Sequence, residues 1–600
     1  MSFVTKLYNT IVIYSTSVEK EVIIIKKFNK VVDKIKYKHP WDRYYDKNKR
    51  SIDVPNVSLY EYLRDSCEEH LDVVALNYFN KKWTFKAFLA EINVCARALR
   101  SQGIRAGDVV TICMPNTPEA VISFYAVNEI GAIANMVHPL SAEEEIKNSL
   151  ISTKSVMLIA INLSYKKIKQ IIEDTDVYKT VIVSPSDSMP GLLKVGYKLT
   201  KGRGVEVPKK SEVNLFWNDF MAKGKKYTSK VLVKTTKDQP AAILHSGGTT
   251  GTPKNIVLTN GNINALAKQA TIIFPKIGVN DSLLAVLPLF HCFGLCVCVH
   301  APLTLGSSVI LIPQFDAKRF DKLFSSYHPT IVAGVPTLYE ALLSNKHMKN
   351  MDLSYVKYLI SGGDSLNPVK NDAVNNFFKE HNCDAKLIQG YGMTETGGPV
   401  TAQVLDATIS GSIGVPFPSN EIKICDPNTR EELPYGVTGE ICISGPTVMA
   451  GYLDNEKETN EILEKDKKGK IWVHTGDLGY MREDGVVFYV SRLKRMLIVS
   501  GYNVYPSHIE NVLLQHPDVL NCGVIGIPHP YKVQVPKAYI VLKNGVKDRM
   551  KTRSEIKEYC KKNLAVYMVP KEFEFRESLP KTMIGKVNYR ELENEYKSTV

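Results

Sequence analysis

Between residues 58 and 491, stretches with apolar side chains three and four positions apart, such as 84–102, alternate with short β-rich runs, such as 109–113, 242–245 and 308–312. This alternation fits strands laid side by side with helices crossing between them, and predicts an α/β class with largely parallel sheets. The chain has 600 residues, 44% of them hydrophobic, which is more than one core organises and enough to fill several. Asp484-Gly485, between the β-rich runs 480–482 and 486–490, reads as a hairpin turn. Beyond it, Ile556, Cys560 and Leu564 share one helical face, and strand-like runs 524–527 and 538–542 lie nearby. The expected organisation is therefore an N-terminal extension (1–40), a large multi-sheet α/β body (41–491) and a small C-terminal α+β domain (492–600), with no internal repeats.

The 76 Lys and Arg against 62 Asp and Glu leave a net charge of +14, which favours polyanionic partners without choosing among them. No Cys/His finger or arginine-rich arm is present, so nucleic acid is not expected as a partner. Eleven scattered cysteines, most within apolar runs, fit free buried thiols in a reducing compartment such as the cytoplasm. Cys292, Cys296 and Cys298 lack paired metal-ligand spacing, and packing is their expected role. No export signal is evident, and the most apolar window, 283–299, falls short of the ~20 residues that a membrane span requires.

Two segments could touch the cytoplasmic face of a membrane. Residues 17–38 carry Val18, Val22, Ile25, Phe28, Val32 and Ile35 at helical spacing among lysines, and residues 189–203 place a basic apolar piece inside an insertion of Pro, Gly, Ser and Lys. For the first, docking of the stripe on the protein's own body is the alternative, and for the second, a plain surface loop. The sequence leaves the oligomeric state open.

The chemistry is concentrated in Ser246-Gly247-Gly248-Thr249-Thr250-Gly251-Thr252-Pro253-Lys254, which follows an apolar strand. Its glycines free backbone N–H groups to turn toward an anion, its hydroxyls add donors and Lys254 adds charge. Neither the Walker order nor GxGxxG is present. Taken alone, Tyr391-Gly392-Met393-Thr394-Glu395 offers a ring for stacking, a hydroxyl and a hard carboxylate, although it could equally be an ordinary loop. Asp477, after Gly476, could accept from two sugar hydroxyls or could simply be a turn residue.

Together these segments resemble the adenylate-forming superfamily of acyl-CoA synthetases, luciferases and peptide-synthetase adenylation domains, most closely a bacterial medium- or long-chain fatty-acyl-CoA ligase. His474-Thr475-Gly476-Asp477, Ser491-Arg492-Leu493-Lys494 and Pro580-Lys581-Thr582-Met583-Ile584-Gly585-Lys586 match its ribose, hinge and catalytic-lysine motifs in order. The resemblance implies ATP, Mg²⁺ and coenzyme A as reactants, with a carboxylic acid as the substrate. It assigns Lys586, Thr394, Glu395 and His291 to catalysis and Glu395 to the metal. Nucleotide binding falls to Ser246, Gly247, Gly248, Thr249, Thr250, Gly251, Lys254, Gly363, Asp364, Tyr391, Gly392, Thr394, Asp477 and Arg492.

The resemblance also makes the small domain mobile about Lys494, with Gly501, Tyr502 and Asn503 presenting the thiol. The chain departs from the family pattern at Asn255, at Ser491 and at Val533-Gln534, where Gly-Glu is common, which bears on the contacts with coenzyme A. Around the acyl site the mapped residues are His291, Phe293, Gly294, Val335, Leu338, Gly362, Gly363 and Met393, a mostly apolar set. No Asp or Glu lies between Ser282 and Gln314, which disfavours an amino acid and suits an alkyl or aryl acid. A fatty acid is the expected substrate. An aryl or branched acid ligase and an adenylation enzyme loading a carrier protein are the alternatives, and the presence of Lys586, Glu395 and Asp477 argues against a non-catalytic relative.

Overall fold

The computed structural model describes residues 37–246, 254–364, 366, 368–403, 408–500, 502–529, 531–546, 549–582 and 586–599. Almost all of the 17–38 stripe, seven residues of the glycine loop (247–253), Gly501 and 583–585 therefore lie outside the described residues.

Two large sheets make the body. The first orders eight strands as Gly451–Tyr452, Asn255–Thr259, Pro240–His245, Ile133–Val137, Val109–Cys113, Ser155–Ile161, Lys179–Val183 and Asn214–Phe216. Its last six run parallel, and the first two add antiparallel at one edge. The second has nine strands, with a parallel centre of Leu387–Met393, Tyr358–Ser361, Ile331–Gly334, Ser282–Ala285, Ser308–Leu311 and Val74–Tyr78. Helices cross between these strands as the alternation requires. Phe85–Ser101 is an example: Thr84 caps it by accepting from Ala87 N at 3.2 Å, and Phe85, Phe88, Ile92, Cys95 and Leu99 are buried on one face.

A smaller antiparallel sheet holds Glu421–Cys425, Gly439–Ser444, Ile471–Met481, Leu463–Lys465 and Val487–Arg492. The hairpin read at Gly485 joins its two longer neighbours, with Gly485 at φ 89°. The C-terminal sheet is built on one long ribbon, Val519–His529 against Val533–Leu542, which extends the expected runs 524–527 and 538–542. Helix Pro506–Leu514 and helix Arg549–Asn563 close one core of this unit, and Tyr589–Thr599 closes a second. Val533 holds φ 66°, a left-handed backbone that a β-branched residue adopts at a cost, at the position where the superfamily pattern carries glycine.

All eleven cysteines are free and buried. No helix among the described residues is long and apolar enough to cross a membrane.

Candidate active site

The carboxyl ends of parallel strands are where open α/β sheets bind ligands, because loops and helix N-termini converge there. In the nine-stranded sheet these ends carry Val335 after Ile331–Gly334, Gly362–Asp364 after Tyr358–Ser361, and Tyr391 to Glu395 at the end of Leu387–Met393. Gly363 (φ 80°) faces this convergence. A Cβ built on it would lie 3.4 Å from Val335 Cγ1, 4.0 Å from Phe293 Cδ1 and 3.9 Å from Lys586 Cε. One glycine thus brings together the acyl-wall candidates and the candidate catalytic lysine.

Lys586 comes from the C-terminal unit and is tied to Thr582. Thr582 N donates to Lys586 O at 2.7 Å, and Lys586 N donates to Thr582 Oγ1 at 3.2 Å. Burial lowers its ammonium pKa, and Asp364 is the carboxylate that opposes this most. Across from it, burial and then the Lys586 charge push the His291 imidazole down to about 4. Phe293 N donates to His291 Nδ1 at 3.2 Å, so the neutral ring carries its proton on Nε2.

The glycine loop is held at both ends. His245 pairs with Asn255, Ser246 N donates to Lys254 O at 3.1 Å, and Lys254 N donates to Ser246 Oγ at 3.1 Å. Beneath it His245 Nε2 lies 2.8 Å from Asn135 Oδ1 and 3.2 Å from Ser149 Oγ, in a buried polar chain that continues to Thr111, Thr153 and Ser155. Burial pushes this imidazole down to about 4.

Lys254 Nζ sits 4.6 Å from the ring centroid of Tyr452 and 2.9 Å from Glu458. Tyr452 in turn donates through its hydroxyl to Glu395 Oε1 at 3.0 Å. Glu395 is buried, which raises its pKa. Thr394 lies 3.7 Å from Cys292 Sγ. Gly392 allows its strand to meet the next, since a Cβ there would fall 2.0 Å from Gly398 O.

Asp477 is buried where Ile471–Met481 pairs with Val487–Arg492, directly opposite Arg492. Tyr391 donates its hydroxyl to Oδ2 at 2.8 Å, while Arg492 Nε stands 3.2 Å from Oδ1, which accepts no hydrogen bond. Glu440 supports this strand from its neighbour, taking Gly476 N at 2.8 Å on one oxygen and His474 Nδ1 at 2.8 Å on the other. His474 Nε2 meets Glu464 at 2.7 Å and Cys442 Sγ lies 3.5 Å from Nδ1, so both imidazole nitrogens are engaged by carboxylates.

Glu440 raises the His474 pKa and His474 lowers that of Glu464. A raised histidine stabilises the fold fully below its unfolded pKa and loses that contribution as pH rises through the folded value. The Glu464 share is present above its unfolded pKa and fades as pH falls through the folded one. We therefore expect His474→Gln to lower the urea midpoint most between about pH 5 and 6.5 and less at pH 9. A pH-independent difference would refute this.

At the proposed hinge, Arg492 is held by the body's Asp477, whereas Arg495 is held by Glu510 at 2.7 Å and lies 3.4 Å from the Tyr589 ring centroid in the C-terminal unit. Lys494 is exposed between them. Tyr502 and Asn503 are also exposed, with the Tyr502 ring stacked on Tyr567 at 4.5 Å, and are not drawn into the cleft around Lys586. Gly294 has a packing role instead of an open pocket position, because a Cβ there would meet Pro288 O at 2.0 Å. Met393 is half-buried beside Thr394.

Tyr452 and Glu440 were not singled out in the sequence. Neither carries a local motif, and only cross-strand register brings them to Glu395 and Gly476.

Two family models match the chain in order: AMP-binding enzyme over residues 63–453 and AMP-binding enzyme C-terminal domain over 508–586. The chain belongs to the AMP-binding enzyme family. Among curated relatives of this AMP-binding enzyme, a long-chain-fatty-acid–CoA ligase of Bacillus subtilis (strain 168) is 33% identical over 93% of this chain and 98% of its own. A 4-coumarate–CoA ligase of Nicotiana tabacum is 31% identical over 90% and 95%. The fold matches that of ATP-bound MatB from Rhodopseudomonas palustris, with a TM-score of 0.78 at 24% identity over 91% of this chain and 100% of that one.

Proposed function

We propose that this AMP-binding enzyme joins a fatty acid of medium or long chain to coenzyme A in two half-reactions. In the first, a carboxylate oxygen attacks the α-phosphorus of ATP, forming an O–P bond as the bond to pyrophosphate breaks. In the second, the thiol sulfur attacks the acyl carbon, the bond to AMP breaks, and the thiol proton leaves to solvent. The observation that carries the reading is the placement of half-buried Lys586 against Gly363, where its charge acts on His291 and Asp477 is among the charges acting on it. A point charge there suits the carboxylate and α-phosphate as charge redistributes, and little covalent work is asked of the protein.

The other roles follow from position. The 246–254 loop would cradle the phosphates, Asp477 and Arg492 would hold the ribose, and Tyr391 would border the adenine. Asp477 Oδ1, ion-paired with Arg492 but accepting no hydrogen bond, and the raised Glu395 carboxyl both favour a partner that restores what burial removed, a sugar hydroxyl in one case and Mg²⁺ in the other. Magnesium supplies charge neutralisation on phosphate oxygens. His291, neutral, with Phe293, Val335 and Gly362, would border the acid, and the name of the Bacillus relative supports an aliphatic chain there. Rotation of the C-terminal unit about Lys494 would then withdraw Lys586 and bring 501–503 to the adenylate. Residues 41–491 and 492–600 are the units proposed to move.

A panel of carboxylic acids, scored by pyrophosphate release with and without coenzyme A, tests the assignment. Release and thioester formation are expected with fatty acids. Preference for coumarate-like or benzoate-like acids would move the substrate to the aryl class, and no release with any acid would remove the ligase reading.

A further inference from the structure

The insertion between Lys179–Val183 and Asn214–Phe216 folds into an amphipathic helix, Gly191–Leu199, set the unusual way round. Lys194 and Tyr197 turn toward the protein, where Lys194 acts on Asp187 and the Tyr197 ring packs over Gly202. Leu192, Val195 and Leu199, one stripe at helical spacing, point outward and are 89%, 56% and 70% exposed. No residue of the helix is buried. Single exposed leucines are ordinary, but a contiguous outward stripe marks an interaction surface.

The sheet edge that bears the insertion carries two further exposed leucines. Ile133–Val137, Ser155–Ile161 and Lys179–Val183 run parallel in one sheet, so the residues after each share one edge. Leu140 and Leu163 follow the first two of these strands and are 74% and 57% exposed. Lys167 Nζ ties the first loop down through Leu140 O at 3.3 Å and Ser141 O at 2.7 Å. On the same edge the His138 ring lies 4.1 Å from that of Phe290, tilted by 32°, so the loop bearing Leu140 touches the segment that leads to His291.

Charge selects the occupant. Lys198, Lys201 and Arg203 are exposed around the stripe, and the chain as a whole carries +14, which opposes a second copy. Residues 17–38 are themselves rich in lysine and are repelled likewise. We propose that helix Gly191–Leu199, with Leu140 and Leu163, is a docking surface for an anionic lipid bilayer, apolar stripe inserted and basic side chains reaching the headgroups. This geometry is that of an interfacial helix, whose affinity combines buried apolar area with attraction to anionic lipid. The inference goes beyond the ligase reading and does not depend on it.

The test uses the full chain carrying Val195→Trp, with the parent's emission subtracted. Vesicles are of phosphatidylcholine alone, or of equal parts phosphatidylcholine and phosphatidylglycerol, with brominated acyl chains as quencher. Blue-shifted, quenched emission is expected on the anionic vesicles and much less on the neutral ones. Adding Leu192→Ser and Leu199→Ser should weaken the partitioning that the reporter reads by about tenfold or more, with an unchanged thermal midpoint because both sites are exposed. Emission indifferent to vesicles overturns the proposal. So does emission already blue in buffer, which would mean cover by residues 1–36, or by a second copy where sedimentation gives a dimer. Quenching that is equal on both vesicle types, or that survives the serines, overturns it too.

Discussion

Lys586→Ala is expected to reduce pyrophosphate release from ATP and acid by at least about a hundredfold, while thioester formation from a supplied acyl-adenylate stays near the parent rate. The size follows from where the ammonium sits. It is half-buried in the cleft, with Asp364 and Asp477 the carboxylates whose charges act on it and Arg492 opposing, and charge held where water is partly excluded counts for more than in solution. The separation of the two halves follows from its origin on the C-terminal unit, since a lysine withdrawn before thiol attack cannot serve that step. Rapid-quench assays of each half-reaction decide it. Equal loss in both would place Lys586 in general folding or nucleotide retention, and the proposed division of labour would fail.

Gly294→Ala is expected to destabilise the body by about 3 kcal/mol or more, or to prevent soluble expression. A Cβ there would stand 2.0 Å from Pro288 O, 2.5 Å from Pro288 C and 2.7 Å from Leu287 O. All three are backbone atoms, so no rotamer change relieves the clash. Pro288 O also accepts from His291 N at 3.1 Å, which ties the turn bearing His291 to this contact. Gly362→Ala is the matched control, because its Cβ would meet chiefly the Phe293 ring edge at 3.2 Å, a side chain able to yield. Thermal midpoints and acid-dependent activity of the two variants should therefore diverge. Similar mild effects in both would show that the Pro288 turn moves freely.

What could be read from the residues and what could not divide along physical lines. Helix Phe85–Ser101 was legible because its cap and apolar period are local. The strand Val109–Cys113 and the Gly485 hairpin were legible for the same reason. The length of the Val519–His529 and Val533–Leu542 ribbon was not, because Asn521, Gly523, Gln534, Pro536 and Lys537 interrupt its apolar residues and take strand geometry only by cross-strand pairing. Tyr452 reaches Glu395 only because Gly451–Tyr452 pairs with Asn255–Thr259, some two hundred positions earlier in the chain. Likewise the composition of residues 189–203 gave a basic apolar insertion, but only the packing of Lys194 and Tyr197 determined which side of the helix faces outward.

The two arginines around Lys494 set the mechanics of the proposed rotation. Arg492 is ion-paired with Asp477 on one side and Arg495 with Glu510, over the Tyr589 ring, on the other, so the proposed rotation would fall chiefly on Leu493 and Lys494, as on a short axle between two bearings. A pivot this short would give the C-terminal unit a defined arc in place of a loose tether. The turning rate can then be altered by backbone stiffness at two positions, leaving the docked geometry of Lys586 untouched.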